Sequence, residues 1–209
     1  MRIVLASNNR KKLDELQALL APAGVELLLQ GALGVGEAEE PHPTFIENAL
    51  AKARHAARHT GLAAIADDSG LCVPALGGAP GVASAHFAAT ALPAGGREVQ
   101  RATQDAANST LLLDRLRGVA DRRAHFISTL VALRAADDPE PLLAIGRWHG
   151  EILSAARGAN GFGYDPLLFI PTLGCSAAEL AADVKNVHSH RAIASAGLLR
   201  LMHEVWRVG

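Results

Sequence analysis

The sequence predicts an α/β fold built on a mixed sheet, and three observations carry that expectation. An apolar run at the N-terminus passes through a polar turn directly into an amphipathic helix, and a further strand-like run follows the next helix. Two more apolar runs, HFISTLVAL and PLLAIGRWHGEI, stand side by side around the turn-forming DDPEP segment. Strand–helix alternation combined with adjacent strands calls for a three-layer arrangement, with helices covering a sheet of mixed direction. A chain of 209 residues suffices for one domain of ordinary size, or for two lobes sharing a core, and residues 1–209 are expected to form a single domain.

Residues 2–6, RIVLA, read as a short buried strand. Ser7-Asn8-Asn9 turns the chain into KKLDELQALL, whose Leu13, Leu16 and Leu20 recur at helical spacing. A second helix starts at Thr44. Its hydroxyl caps the first turn, Glu47 is expected to return a bond to the cap amide, and Ala49, Ala53 and Ala56 form a small-residue face that should end near Gly61. LAAIADDSG is a short apolar run ending in two carboxylates, which places Asp67 and Asp68 at the end of a core strand, before a turn at Ser69-Gly70. GGAPG and GFGYDP read as rigid loops, residues 103–117 as a helix, and residues 190–206 as a final helix turning Leu198, Leu199, Met202 and Val205 toward the core.

Composition removes several classes of function. An apolar fraction of 49% with 20% charged residues describes a soluble globular chain, and 20 basic against 21 acidic side chains leave no positive field for a nucleic-acid backbone. Nucleic acid is therefore not an expected partner. The apolar N-terminal stretch is too short for a signal peptide and no run approaches the length of a membrane span, so no membrane association is expected and the expected address is the cytoplasm. Cys72 and Cys175 show no paired spacing and read as buried fillers in a reducing compartment. Neither GxGxxG after the first strand nor GxxxxGK[ST] is present.

The polar clusters point to an anionic ligand. Ser7, Asn9 and Lys12 lie on a strand-to-helix turn, where exposed amides and the positive end of the helix favour a phosphate; an ordinary helix cap is the plainer reading. Only four of the 20 basic residues are lysines, and Lys12, Lys52 and Lys185 sit in polar, motif-like settings. Asn48 and Lys52 share a helix face with His55 beyond them, so Lys52 either reaches a phosphate or stands in solvent. The pair Asp67-Asp68 suits a hard cation held by one carboxylate and a water oriented by the other, and magnesium matches carboxylate and phosphate oxygens. Glu40, just before the second helix, is a more distant candidate ligand within an acidic run. Further on, Phe162 or Tyr164 offers a ring to stack on a base, Asp165 and His190-Arg191 offer groups to read its edge, and Lys185 offers a contact to phosphate or to a base oxygen. His188 and His190 have a spacing that a metal tolerates, a weak signal by itself, while Trp148 and Trp206 read as core or dimer-contact residues.

Taken in order, SNNRKK at 7–12, TFIENALAKA at 44–53, IADDSGL at 65–71, LGGAPGVASA at 76–85, GFGYDP at 161–166 and KNVHSHRAIA at 185–194 resemble the Ham1/RdgB-like inosine triphosphate pyrophosphatase family over almost the whole chain. The resemblance implies a curved mixed β-sheet with flanking helices, two lobes around a nucleotide cleft, and a homodimer. It implies Mg2+-dependent hydrolysis of ITP, dITP or XTP at the α-phosphorus, giving monophosphate and pyrophosphate. Ser7, Asn9, Lys12, Lys52 and Ser69 then hold the triphosphate. Asp68 is the catalytic carboxylate, with Glu40, Asp67 and Asp68 around the metal. Phe162, Tyr164, Asp165, Lys185, His190 and Arg191 recognise the base. Two places depart from the family pattern: Pro41-His42-Pro43 stands where a Thr-Gly turn is frequent, and His86 stands where arginine is common. A Maf-like pyrophosphatase acting on pyrimidine or modified nucleotides, and a nucleotide-binding regulator without turnover, are the competing readings.

Overall fold

A computed structural model describes residues 1–91, 93 and 96–208, with Arg97 described by its backbone alone. Contacts divide the chain into two compact units, one of residues 1–69, 128–147 and 186–209, the other of residues 70–127 and 148–185.

In the first unit, β1 (Arg2–Leu5) is buried from Ile3 onward, as a strand covered on both faces must be. It pairs in parallel with β2 (Glu26–Leu29), Arg2 opposite Glu26, and with β3 (Ala64–Cys72), Val4 opposite Ala64. Parallel neighbours need a crossover, and α1 (Arg10–Leu20) supplies it between β1 and β2. Leu16 and Leu20 bury fully among Ile3, Leu5, Leu27 and Leu130. Gln17 on the same helix donates to the Val25 carbonyl at 2.9 Å and accepts from the Leu27 amide at 2.7 Å, tying α1 to the start of β2.

Helix α2 (Phe45–Thr60) lays Ala49, Ala53, Ala56 and Ala57 on Val4, Ala66, Val131 and Leu133, and the methyl side chains let its backbone approach the sheet closely. Gly61, at φ 66°, ends it in the left-handed conformation that a residue without Cβ adopts at little cost. At the other end Thr44 accepts from the Glu47 amide at 3.3 Å as expected, but the Glu47 carboxylate accepts from the Thr44 hydroxyl at 2.6 Å instead of returning to the cap amide.

The second unit has its own core of Leu71, Leu112, Leu116, Phe126, Trp148, Leu168 and Ile170. Helix α3 (Arg97–Arg115) starts earlier than the apolar periodicity indicated, because its first turns carry mostly polar, exposed residues. Asn108, buried on α3, accepts from the Ala88 amide at 2.8 Å and donates to the Ser84 and Ala85 carbonyls, while the Ser84 hydroxyl accepts from the Leu71 amide at 2.9 Å. These bonds pin the turn of helix that follows the GGAPG loop.

The remaining strands are β4 (Arg123–Leu133), β5 (Leu142–Ile152), β6 (Leu168–Ile170) and β7 (Cys175–Ser176), and the sheet order is β2-β1-β3-β4-β5-β6-β7. Pairs β5–β6 and β6–β7 are antiparallel, so the seven-stranded sheet is mixed, as expected. α4 (Ala182–His188) and α5 (His190–Leu201) follow, and a π-helical turn at Met202–Trp206 continues α5 where one uninterrupted helix was expected. Cys72 and Cys175 are free and half-buried, not the buried fillers anticipated. No helix among the described residues is long and apolar enough to cross a membrane.

Candidate active site

β3 does not stop at its carboxylates. It runs on through Ser69 and Gly70 to Cys72, so Asp67 and Asp68 lie in mid-strand and not at a strand end. A strand can carry two acids through a buried region only if each finds charged or polar partners there. Successive side chains leave a strand on opposite faces, so these two find different ones.

Asp67 is enclosed in the first unit. Its Oδ1 accepts from the Ser128 hydroxyl at 2.8 Å; its Oδ2 receives Arg191 Nε at 3.0 Å, Lys12 Nζ at 3.1 Å and the Ser69 hydroxyl at 3.2 Å. Burial alone would raise its pKa, but Lys12 and Arg191 outweigh that and hold the carboxyl well below the usual range. Arg191 is fixed in turn by Glu15 Oε2 at 2.8 Å and Ser69 Oγ at 2.8 Å. Lys12 is desolvated by the same surroundings, which lowers its pKa despite the attraction of Asp67.

Asp68 has sparser company. Its Oδ1 accepts from Lys52 Nζ at 2.8 Å, and the same ammonium donates to Glu40 Oε2 at 2.9 Å. Its Oδ2 is buried and has no hydrogen-bond partner among the described residues. Burial pushes the Asp68 carboxyl up to about 6; Lys52 opposes the rise and the Glu40 charge adds to it. Burial would lower Lys52, yet the two carboxylates together raise it, and Lys52 in turn holds Glu40 below its ordinary value against the effect of burial. Glu40 is brought here by Asn48 on α2, whose amide group bonds both the amide and the carbonyl of His42 at 3.0 Å and so fastens the Pro41-His42-Pro43 turn.

The turn before α1 uses its side chains locally. Asn9 caps the helix, its Oδ1 accepting from the Lys11 and Lys12 amides, and Ser7 Oγ accepts from the Asn9 amide at 3.1 Å. The ordinary-cap reading of Ser7 and Asn9 thus describes their contacts, while Lys12 extends to Asp67. Asn8, which the sequence marks only as part of the turn, holds the Gly31 amide at 2.9 Å and donates to Glu37 at 3.3 Å.

The oxygens present suit a hard cation in one arrangement. The unpartnered Asp68 Oδ2 and the half-exposed Glu40 carboxylate provide two donors, and Mg2+ commonly takes one or two carboxylates while keeping water and phosphate oxygens for its other positions. Asp67, expected as a third ligand, is instead filled by a serine, a lysine and an arginine, and no group of three His, Cys, Asp or Glu suited to a metal exists among the described residues. His188 is exposed and His190 is buried, so that pair forms no site either.

The second unit assembles the other predicted group. Lys185 Nζ is 2.7 Å from Asp165 Oδ2 and 5.2 Å from the centre of the Phe162 ring, and Asp165 Oδ2 also accepts from the Phe162 amide at 2.9 Å. Gly161, at φ 76°, has no room for a Cβ beside that carboxylate, so the turn requires glycine. Tyr164 belongs to the core: its hydroxyl donates to the Ser84 carbonyl at 2.9 Å, and burial, followed by the nearby Asp105 charge, raises its pKa further. Asp105 itself accepts from the Gly163 amide at 3.0 Å. Arg191, grouped with the base-reading residues in the sequence, is joined here to Asp67, and His190 is buried beside it at the start of α5.

Sequence reasoning passed over Ser128 and Glu15, although signals were available. Ser128 is a hydroxyl inside the apolar run FISTLVAL, and Glu15 lies one helical turn from Lys12, on the same face.

A family model described as the Ham1 family matches residues 3–201. The chain is 68% identical over 206 residues to a dITP/XTP pyrophosphatase of Methylibium petroleiphilum, covering 99% of both, and 59% identical over 204 residues to one of Burkholderia pseudomallei, covering 98% of this chain and 94% of that one. Among solved structures, a HAM1 protein from Coxiella burnetii superposes with a TM-score of 0.86 at 41% identity, covering 98% of this chain and all of the other, and the Staphylococcus aureus Ham1 protein with 0.80 at 33%, covering 98% of each. With the model match spanning nearly every element and these relatives aligned along the full length, the chain belongs to the Ham1 family.

Proposed function

We propose that this protein hydrolyses non-canonical purine nucleoside triphosphates, ITP, dITP and XTP, at the α-phosphorus, releasing monophosphate and pyrophosphate. One observation carries the mechanism: neighbouring carboxylates on β3 are shifted in opposite directions, Asp67 held ionised among cations and Asp68 given a raised proton affinity and an open oxygen. A carboxylate tuned toward neutrality accepts a proton from water more readily than an ordinary one, so Asp68 is the general base. Lys12 and Lys52 flank the two acids and neutralise charge developing on the departing pyrophosphate. Asp67 acts through others, keeping Lys12, Ser69 and Arg191 in place. Ser7 and Asn9 shape the turn that carries Lys12, and the positive end of α1 favours a phosphate beside it.

Glu40 together with Asp68 would hold a Mg2+ ion, which would supply Lewis-acid charge to the phosphate oxygens. No covalent nucleophile is needed. For the base, Phe162 gives a stacking face, and the Lys185 ammonium, fixed by Asp165, presents donors to the six-position carbonyl of hypoxanthine or xanthine. The six-amino group of adenine meets donor with donor and is rejected. We place the enzyme in the cytoplasm as a homodimer, without a nucleic-acid or membrane partner, clearing these nucleotides from the precursor pool.

The test follows monophosphate, pyrophosphate and phosphate separately from ITP, dITP, XTP, GTP, ATP, UTP and dTTP, with magnesium and with chelator. Equimolar monophosphate and pyrophosphate from the inosine and xanthosine substrates, abolished by chelator, is the expected result. Phosphate as the first product would move the scissile bond. Preference for UTP or dTTP would favour the Maf-like reading, and tight ITP binding without products would favour the regulator.

A further inference from the structure

Away from the carboxylates, α2 carries two histidines one turn apart, His55 and His59, whose ring centres are 4.3 Å from each other. Each ring uses one nitrogen on a backbone carbonyl: His55 Nε2 lies 3.2 Å from the Gly36 oxygen, and His59 Nδ1 lies 2.9 Å from the His55 oxygen. A carbonyl oxygen only accepts, so those nitrogens carry the protons. In the neutral imidazoles, His55 Nδ1 and His59 Nε2 are then left as unprotonated lone-pair donors. Protein metal sites show the same division of labour, in which the ligating nitrogen of a histidine is opposed by an N–H held on a carbonyl or carboxylate that fixes tautomer and ring orientation. The i, i+4 spacing on a rigid helix brings the two rings to one face, and His59 is exposed, so an ion has an entry path.

We propose that His55 and His59 form a binding site for a borderline divalent transition ion such as Zn2+, Ni2+ or Cu2+, distinct from the magnesium position at Asp68 and Glu40. Imidazole nitrogen selects such ions over Mg2+, which prefers oxygen donors and retains its water. The His55–Gly36 bond stays in place when the ion is held, because the coordinating atoms are the opposite nitrogens. Two protein ligands leave the remaining positions to water, so the site is exchangeable and not a structural clamp.

The test titrates the full chain with Zn2+ alone by calorimetry, at mildly alkaline pH and with magnesium in large excess. The wild type is compared with H55Q, H59Q and H125Q, the last removing another ring-paired histidine, on β4. Saturable binding weakened by about tenfold or more in both H55Q and H59Q, and unchanged in H125Q, is expected. H59Q leaves the Gly36 bond intact and keeps the test sound if H55Q alters the fold. As a second readout, the Cu2+ form should show two coordinated imidazole nitrogens by electron paramagnetic resonance, and one in H59Q. Wild-type affinity in H59Q, competition by magnesium, or an unchanged nitrogen count in H59Q would overturn the assignment.

Discussion

Asp67 and Asp68 are one residue apart, and their surroundings pull in opposite directions. The Asp68 carboxyl, pushed up to about 6 mainly by burial, must be ionised to take a proton from water, so kcat/KM for ITP should fall on acidification with a limb near about 6. A flat profile through that region would remove Asp68 from the role of base. D68N should bind substrate yet turn over at least about 100-fold more slowly. On stability two effects oppose: a folded pKa raised above the unfolded one stabilises below the unfolded value and is lost as pH rises through the folded one, so at neutral pH asparagine relieves a burden, but Lys52 loses one of its two carboxylates, and D68N should therefore cost less than D67N. Asp67 has the reverse sign. Its depressed pKa contributes stability above the unfolded value of about 3.9, lost as pH falls toward the folded one. D67N leaves Lys12 and Arg191 facing a neutral amide, and should lower the unfolding free energy by about 3–5 kcal/mol in denaturant melts. Equal stability of D67N and D68N would show that the two environments do not differ as described.

At the scale of elements, the first unit depends on a close approach between β5 and α5. A Cβ on Gly146 would fall on the His190 carbonyl oxygen and within 2.6 Å of the Ala194 amide, both backbone atoms that move only with the helix. G146A should therefore destabilise by about 1–3 kcal/mol. Because Arg191 rides on α5, the same shift should loosen its bond to Asp67 and lower kcat; a variant with wild-type stability and rate would show that the helix stands off the strand. The long elements were legible because each carries a period or a cap: Leu13, Leu16 and Leu20 for α1, Thr44 and Gly61 for α2, apolar runs for β4 and β5. β2, β6, β7 and α4 are too short to show a period, and their form comes from pairing or packing with distant residues. The end of β3 was misplaced for a related reason. Two aspartates read as solvent-seeking until Ser128 and Arg191, far along the chain, are known to receive one of them. The candidate site was legible by residue type, while its pairing was not: Arg191 was grouped with the base and Tyr164 with an open face, since adjacency in sequence says nothing of which side a chain turns.

For the whole molecule, ligand binding and stability are linked. A non-hydrolysable inosine triphosphate analogue with magnesium, at about 100 times its Kd, should add about 2.7 kcal/mol to the folded state. For a chain of this length that corresponds to a rise in Tm of about 5–10 °C, and the corresponding adenosine analogue at the same concentration should give much less. Equal shifts for the two bases would remove Lys185 and Asp165 from discrimination. D68N should still respond to the inosine analogue, but by less than the wild type, because Asp68 both takes the proton and helps to hold the magnesium.

The first unit is closed by its last segment. Residues 186–208 bring Ala194, Leu198 and Met202 to a core begun by β1, and bring Arg191 to an aspartate made more than a hundred positions earlier. During synthesis, then, the nascent chain carries a half-walled core and a desolvating carboxylate without its guanidinium until residues 186–208 have been made. A premature stop anywhere in the final helices should yield neither a slower enzyme nor a smaller one, but an aggregation-prone chain left to chaperones and proteases.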